Sequence, residues 1–224
     1  MRTHTLFVVI AAVVLSATSA EAAPRWSGCY WGVNAGYVSG SSPIKYGTNV
    51  LGIAPGTPAS NDLNVQGGLF GATLGCNIAM QTWVWGVEGD WDLSSAHDRQ
   101  TETRFSPFRM IAEQKWVATA RGRLGFARDN WLVFATGGAA FSEVKFANRA
   151  TVTVGTEENK TMVGWTVGGG LEYALDQSWS LKAEYLYIDL GDETFLSPNN
   201  PVSGAAYNFS LTQQVIRVGA NRRF

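Results

Sequence analysis

The sequence predicts an all-β protein, a single eight-stranded antiparallel up-and-down barrel that crosses a membrane, and three observations carry that reading. Beyond Ala22 the dominant period is two, with an apolar face set against a face of Gly, Thr, Asn and paired charges. The connections alternate: short turns near 79 to 82, 127 to 130 and 175 to 178, long polar loops near 39 to 65, 94 to 113, 142 to 160 and 190 to 208. Trp83, Trp131 and Trp179 each open a strand just after a short turn and are equally spaced along the chain. Hairpins with short turns at one end and long loops at the other are the layout of a transmembrane β-barrel.

The first element is an address. Arg2 and His4 precede the apolar run Leu6 to Leu15, and Ala20-x-Ala22 closes it with small residues. That is the pattern of a secretory signal, so residues 1–22 are expected to be removed and 23–224 to form the barrel domain. The run falls short of the roughly 20 apolar residues a spanning helix needs.

Eight strands follow. The first sets Trp31, Val33, Ala35 and Tyr37 against Gly32, Asn34 and Gly36; the second sets Phe70, Ala72, Leu74, Cys76 and Ile78 against Gly71, Thr73, Gly75 and Asn77. The third has Trp83, Trp85, Val87, Trp91 and Leu93 opposite Glu88, Asp90 and Asp92. The fourth has Trp116, Ala118, Ala120, Leu124 and Phe126 opposite Lys115, Thr119, Arg121 and Arg123. The fifth, Trp131 to Phe141, has two faces that the sequence leaves undistinguished. The sixth opposes Val163, Trp165, Val167, Leu171 and Tyr173 to Thr166, Gly168, Gly170 and Glu172. The seventh opposes Leu181, Ala183, Tyr185 and Tyr187 to Lys182 and Glu184, and the eighth Ile216, Val218, Ala220 and Phe224 to Arg217, Gly219 and Asn221.

The tryptophans then fall into two girdles: Trp31, Trp83, Trp131 and Trp179 at the short-turn rim, and Trp91, Trp116 and Trp165 at the loop rim. An indole suits such a boundary because it is apolar over most of its surface and keeps one donor for water or headgroups. A soluble lipocalin-type barrel would also alternate, but its charged face would point outward, and here that face is mostly Gly, Thr and Asn. The ten charges on it are five acids, Glu88, Asp90, Asp92, Glu172 and Glu184, and five bases, Lys115, Arg121, Arg123, Lys182 and Arg217. A neutral, interleaved set suits a narrow interior plugged by ion pairs, since a buried charge must find a partner.

Composition removes other classes. Lys plus Arg at 17 against Asp plus Glu at 18 gives a net charge of -1, so no global basic field gathers nucleic acid. Charged residues make up only 16% and apolar ones 46%, which excludes a disordered chain. The single histidine beyond the signal, His97, has Ser94, Ser95 and Asp98 as neighbours. Nearby polar residues in a loop are usually only solvated, so a lipid-modifying enzyme ranks last among the readings. His97 and Asp98 do not make a metal site, and no cofactor is expected.

The segments Trp26-Ser27-Gly28-Cys29-Tyr30-Trp31-Gly32-Val33-Asn34-Ala35-Gly36-Tyr37, Gly86-Val87-Glu88-Gly89-Asp90-Trp91, Arg121-Gly122-Arg123-Leu124-Gly125 and Arg217-Val218-Gly219-Ala220-Asn221 resemble strands of the small outer-membrane β-barrel proteins of alphaproteobacteria. So do Ala135-Thr136-Gly137-Gly138 and Gly164-Trp165-Thr166-Val167-Gly168-Gly169-Gly170-Leu171-Glu172-Tyr173. These proteins are a porin-like family within the OmpA-like eight-stranded barrels. The resemblance implies location in the outer membrane of a Gram-negative cell, insertion by the barrel assembly machinery, and a role in envelope integrity or surface interaction. Phe224 fits the family's terminal assembly signal. Arg222 departs from it, standing where the family usually has an aromatic, and is expected to face lipid at the short-turn rim and slow assembly.

Function is accordingly expected to be structural and surface-interactive, with a small channel as the alternative, because an eight-stranded interior is just wide enough for side chains to fill. Glu172 is expected near Lys182, and Arg121 and Arg123 near Glu88 and Asp90. Cys29 and Cys76, the only cysteines, are either bridged or two separate thiols. A bridge would remove about 4 kcal/mol of unfolded-state freedom. Arg99, Arg104, Arg109, Lys145, Arg149 and Lys160 are the loop cations expected to meet lipopolysaccharide phosphates; host or surface ligands would also meet the loops.

Overall fold

A computed structural model describes residues 23–49, 52–59, 61–101, 109–149, 156–197 and 205–224. The expected signal segment and Arg104 lie outside them, as do the side chains of Arg99, Arg109 and Arg149. The order of elements is α1 (Ala23–Trp26), β1 (Gly28–Ser42), β2 (Ile44–Tyr46), β3 (Leu63–Met80), β4 (Trp83–Ser94), β5 (His97–Thr101), β6 (Arg109–Arg128), β7 (Trp131–Arg149), β8 (Thr156–Ala174), β9 (Trp179–Ser197) and β10 (Ala205–Arg223). Around the wall the strands run β1-β10-β9-β8-β7-β6-β4-β3, and β3 pairs back onto β1, so eight antiparallel strands close a ring. Closure leaves no sheet edge facing lipid, where an open sheet would strand its backbone donors and acceptors. The short strands lengthen two staves of the wall: β2 pairs β10, and β5 pairs β6 and touches β3 at Gln66 and His97.

Three of the long connections read from the sequence, 94 to 113, 142 to 160 and 190 to 208, are mostly strand. β7 runs 19 residues to Arg149, β8 begins at Thr156, and β6 runs 20 residues from Arg109. At about 3.4 Å per residue such strands are roughly 60 Å long, and even tilted by about 45° they rise far above an apolar band of about 25 Å. The upper half is therefore a crown of continuous wall. Its polar outward residues had the look of loop, because the alternation there carries its apolar members on the other face. The face left open in the fifth strand is settled too: Leu132, Phe134, Thr136, Ala140, Ser142 and Val144 point inward, and Trp131, Val133 and Ala135 outward.

One expected interior charge is displaced. The β6–β7 pairing skips a residue between Gln114 and Trp116, a bulge that leaves Lys115 without a ladder partner. Gln114 points inward and Val117 resumes the interior face, so Lys115 projects from the outer wall, half-buried against Glu143. Counting alternate residues through a bulge assigns the wrong face to everything on its far side.

Candidate functional site

The lumen is built in layers. At the short-turn end, α1 lies across the opening, and the indole of Trp26 is 1% exposed against Val84, Ala127, Leu132, Phe134 and Ala174. Arg25 reaches Asn130 on the far side of the mouth, and the Arg223 guanidinium stacks 4.8 Å from the Trp26 ring.

Above this plug sit the charges. Arg121 on β6 donates to Glu88 at 2.5 Å and Asp90 at 2.7 Å on the adjacent β4, and across the lumen to Glu184 of β9 at 2.7 Å. Arg217, from β10, contacts Asp90 at 2.6 Å, Asp92 at 2.7 Å and Glu184 at 2.7 Å. Glu172 and Lys182 are register partners on β8 and β9, yet their strongest contacts lie elsewhere: Lys182 donates to Glu88 at 2.8 Å and Arg123 to Glu172 at 2.8 Å. In a lumen this narrow the opposite wall is as near as the adjacent strand. Nine of the ten expected residues are thus brought together, all buried, and Lys115 is not among them.

Sequence reasoning missed Tyr30. Its hydroxyl donates to Glu88 at 2.6 Å and accepts from Arg123 at 2.8 Å, at the centre of the network. It shares parity with Gly32, Asn34 and Gly36, so the alternation already placed it inside. Room for its ring comes from Gly75 on β3, where a Cβ would collide with the phenol. Ser180 and Asn221 complete the shell by donating to Glu172.

A polar bridge marks the top of the charged layer: the Gln114 amide donates to Ser142 at 2.8 Å and Gln213 at 3.0 Å, and Ser94 donates to Gln114 at 3.1 Å. Beyond it the crown interior is apolar. Val38, Leu69, Val144, Met162, Ile188, Leu211 and Phe209 fill it, with Ile44 and Tyr46 of β2 folded in and Tyr46 packed 5.5 Å from Tyr207.

Outside, the indoles project from the wall in two groups. Trp31 meets Trp179 edge-on at 6.4 Å, Trp83 meets Phe126 at 5.7 Å and Trp131 meets Tyr173 at 4.7 Å around the short-turn rim. Trp91, Trp116 and Trp165 face outward at the other boundary. Above that boundary Glu143 accepts from Lys115 at 2.8 Å and from the Trp116 ring N–H at 3.2 Å, and these two bonds hold its carboxyl below its ordinary range. Cys29 and Cys76 face each other across β1 and β3 and are joined in a disulfide on the outer wall near the short-turn rim. Phe224 is exposed and its amide bonds the Cys29 carbonyl at 3.1 Å; Arg222 points outward, 5.8 Å from the Trp179 ring. At His97, Asp98 accepts the Asn64 amide while the His97 ring meets the Ser95 carbonyl.

A closed ring with an apolar outer belt, two aromatic girdles and a polar lumen defines an integral outer-membrane barrel. The family described as outer membrane protein beta-barrel domain matches residues 7–224, and the chain belongs to it. It is 36% identical over 226 residues to the 31 kDa outer-membrane immunogenic protein of Brucella melitensis, covering 95% of this chain and 91% of that one. It is 31% identical to the 25 kDa outer-membrane immunogenic protein of Brucella abortus, covering 91% and 83%. Among solved structures, the outer membrane protein OprG of Pseudomonas aeruginosa matches with a TM-score of 0.62 at 12% identity, over 90% of this chain and 99% of that one, a likeness of fold. The protein is therefore located in the outer membrane of a Gram-negative bacterium, with the short turns periplasmic and the crown outside the cell.

Proposed function

We propose that this barrel is a sealed, non-enzymatic element of the envelope, adding to its integrity from within the membrane and presenting the crown for contact with lipopolysaccharide and external ligands. The observation that carries the reading is the filled lumen, in which cross-linked charges lie between two apolar plugs. Lipopolysaccharide contact is supported by the described cations Lys115, Lys145 and Lys160 on the crown wall; Arg99, Arg104, Arg109 and Arg149 are the further cations that the sequence offers for it. The relatives' description as immunogenic fits a surface that is seen from outside. During biogenesis, terminal Phe224 is the residue for the barrel assembly machinery to read.

The alternative, a small channel, draws on the charged lumen itself. Conductance of the refolded barrel in a planar bilayer tests both. We expect no discrete currents from wild type or from a Glu88→Gln, Glu184→Gln double variant; stable currents whose selectivity changes in the variant would overturn the sealed reading. Replacing Arg104 and Arg109 together should lower lipopolysaccharide co-purification, and an unchanged yield of bound lipopolysaccharide would remove that partner.

A further inference from the structure

The outer wall carries an apolar groove of about 610 Å³ over the β1-β10-β9-β8 sector. Its floor is low because Ala35, Ala183 and Ala220 stand between taller neighbours, with Phe70 on one flank and Tyr173 on the other. Two residues below Ala220 on β10, about 7 Å towards the periplasm, Arg222 lies in one register row with Trp31 and Trp179. The apolar trough thus lies two residues above a register row in which an exposed guanidinium is flanked by two indoles. Arg222 is the one cation in that row, and its face is the headgroup level of the inner leaflet. An apolar trough alone accepts any chain, but a fixed cation at its foot selects a head that carries negative charge.

We propose that this groove is a binding site for an anionic phospholipid of the periplasmic leaflet. The acyl chain lies over Ala35, Ala183 and Ala220, and the phosphate meets Arg222, with Trp31 and Trp179 bracketing the glycerol region. Arg suits the role because its planar fork bonds two phosphate oxygens at once while its stem lies along apolar surface. The proposal rests on the outer-membrane placement and not on the sealed lumen, so conductance results leave it standing or falling on its own test.

The test refolds the full mature barrel into nanodiscs of phosphatidylethanolamine with a minor fraction of phosphatidylglycerol, extracts it, and reads the retained lipids by native mass spectrometry. Heat-modifiable migration confirms folding of each variant. Wild type is expected to retain phosphatidylglycerol out of proportion to its supply. Arg222→Gln should lower that retention about fivefold, the worth of one interfacial cation. Arg222→Lys should keep most of the preference, and Ala183→Leu, which fills the trough, should reduce retention of both lipids. Retention of the two lipids by wild type in proportion to their supply, or undiminished phosphatidylglycerol in Arg222→Gln, would overturn the proposal. So would a loss confined to lipopolysaccharide when both are offered, because that would assign Arg222 to the other leaflet. Should Arg222→Gln fail to fold, the lysine and leucine variants decide the matter by the same readout.

Discussion

The membrane belt and the extracellular crown are made from the same strands, yet their faces are exchanged. On β10, Ile216, Val218 and Ala220 point outward in the belt while Arg217 and Asn221 point in; higher up, Gln214 and Asn208 point outward while Val215, Leu211 and Phe209 point in. On β9, Leu181 and Ala183 face out and Lys182 and Glu184 in, until Leu186, Ile188 and Leu190 take over the interior. On β10 the inside-outside parity is unchanged from belt to crown and only the residue classes trade places, whereas β6 shifts its parity at the Lys115 bulge and β9 slips register opposite Ser210 and Thr212. The reason is solvent. Lipid bathes the belt, so its outer wall is apolar and its lumen can hold charges; water bathes the crown, so the hydrophobic effect drives its apolar residues inward as in a soluble barrel.

The sharpest way to break this contrast is inside the belt. Arg217→Met should cost about 3–5 kcal/mol, because Asp90, Asp92 and Glu184 are left buried with one cation fewer. Urea unfolding of the bilayer-embedded barrel, followed by the loss of its folded gel mobility, measures it; a loss below about 1 kcal/mol would mean water reaches these groups.

The outer faces give the next largest effect, through one pair on one strand. Val218→Arg puts a charge on the lipid face and should cost about 2–4 kcal/mol. Gln214→Arg, four residues higher on the same face, should stay within about 0.5 kcal/mol. Equal costs in the same unfolding assay would erase the boundary drawn between belt and crown.

A smaller test is Ile188→Val in the crown interior, expected to cost about 1 kcal/mol by removing one buried methylene from a close-packed core. No measurable loss would mean that the crown is looser than its buried side chains imply.

The smallest effect is at the periplasmic turn. Asp176 accepts the amides of Ser178 and Trp179 at 2.7 and 2.8 Å, and those donors hold its carboxyl below the ordinary range. A depressed folded value means that the turn's stabilisation is complete above the unfolded Asp value of about 3.9 and fades as pH falls through the lower folded one. Asp176→Asn should flatten the acid limb of stability below that point, leaving neutral stability nearly unchanged; an identical acid limb would show the turn to be independent of this carboxylate.

Much of the belt was legible in the sequence because lipid enforces a strict alternation. Trp83, Trp131 and Trp179 marked one rim by their position after turns, with Trp31 joining them from the first strand, and the opposite parity marked nine of the lumen charges. The crown was not legible. Its outward Ser39, Ser41, Gln66 and Thr161 are what loops are made of, and only pairing across strands distinguishes them from loops. Lys115 was misplaced for a related reason: a bulge is a property of two strands in register, and nothing in Gln114-Lys115-Trp116 announces it.

By itself the sequence determined the solvent of each face. Period two, connections that alternate between short and long, aromatic boundaries and interleaved charges of both signs fix an alternating wall with a polar lumen, because burying apolar area and pairing charges are constraints that residue identity alone states. Tertiary structure decided who meets whom. Lys182 takes Glu88 from across the barrel over its register neighbour Glu172, Tyr30 becomes the hub through the space at Gly75, and Lys115 leaves the interior. Each outcome depends on closure of the ring, which brings opposite walls within hydrogen-bonding distance and fixes the register in which every side chain must find its place.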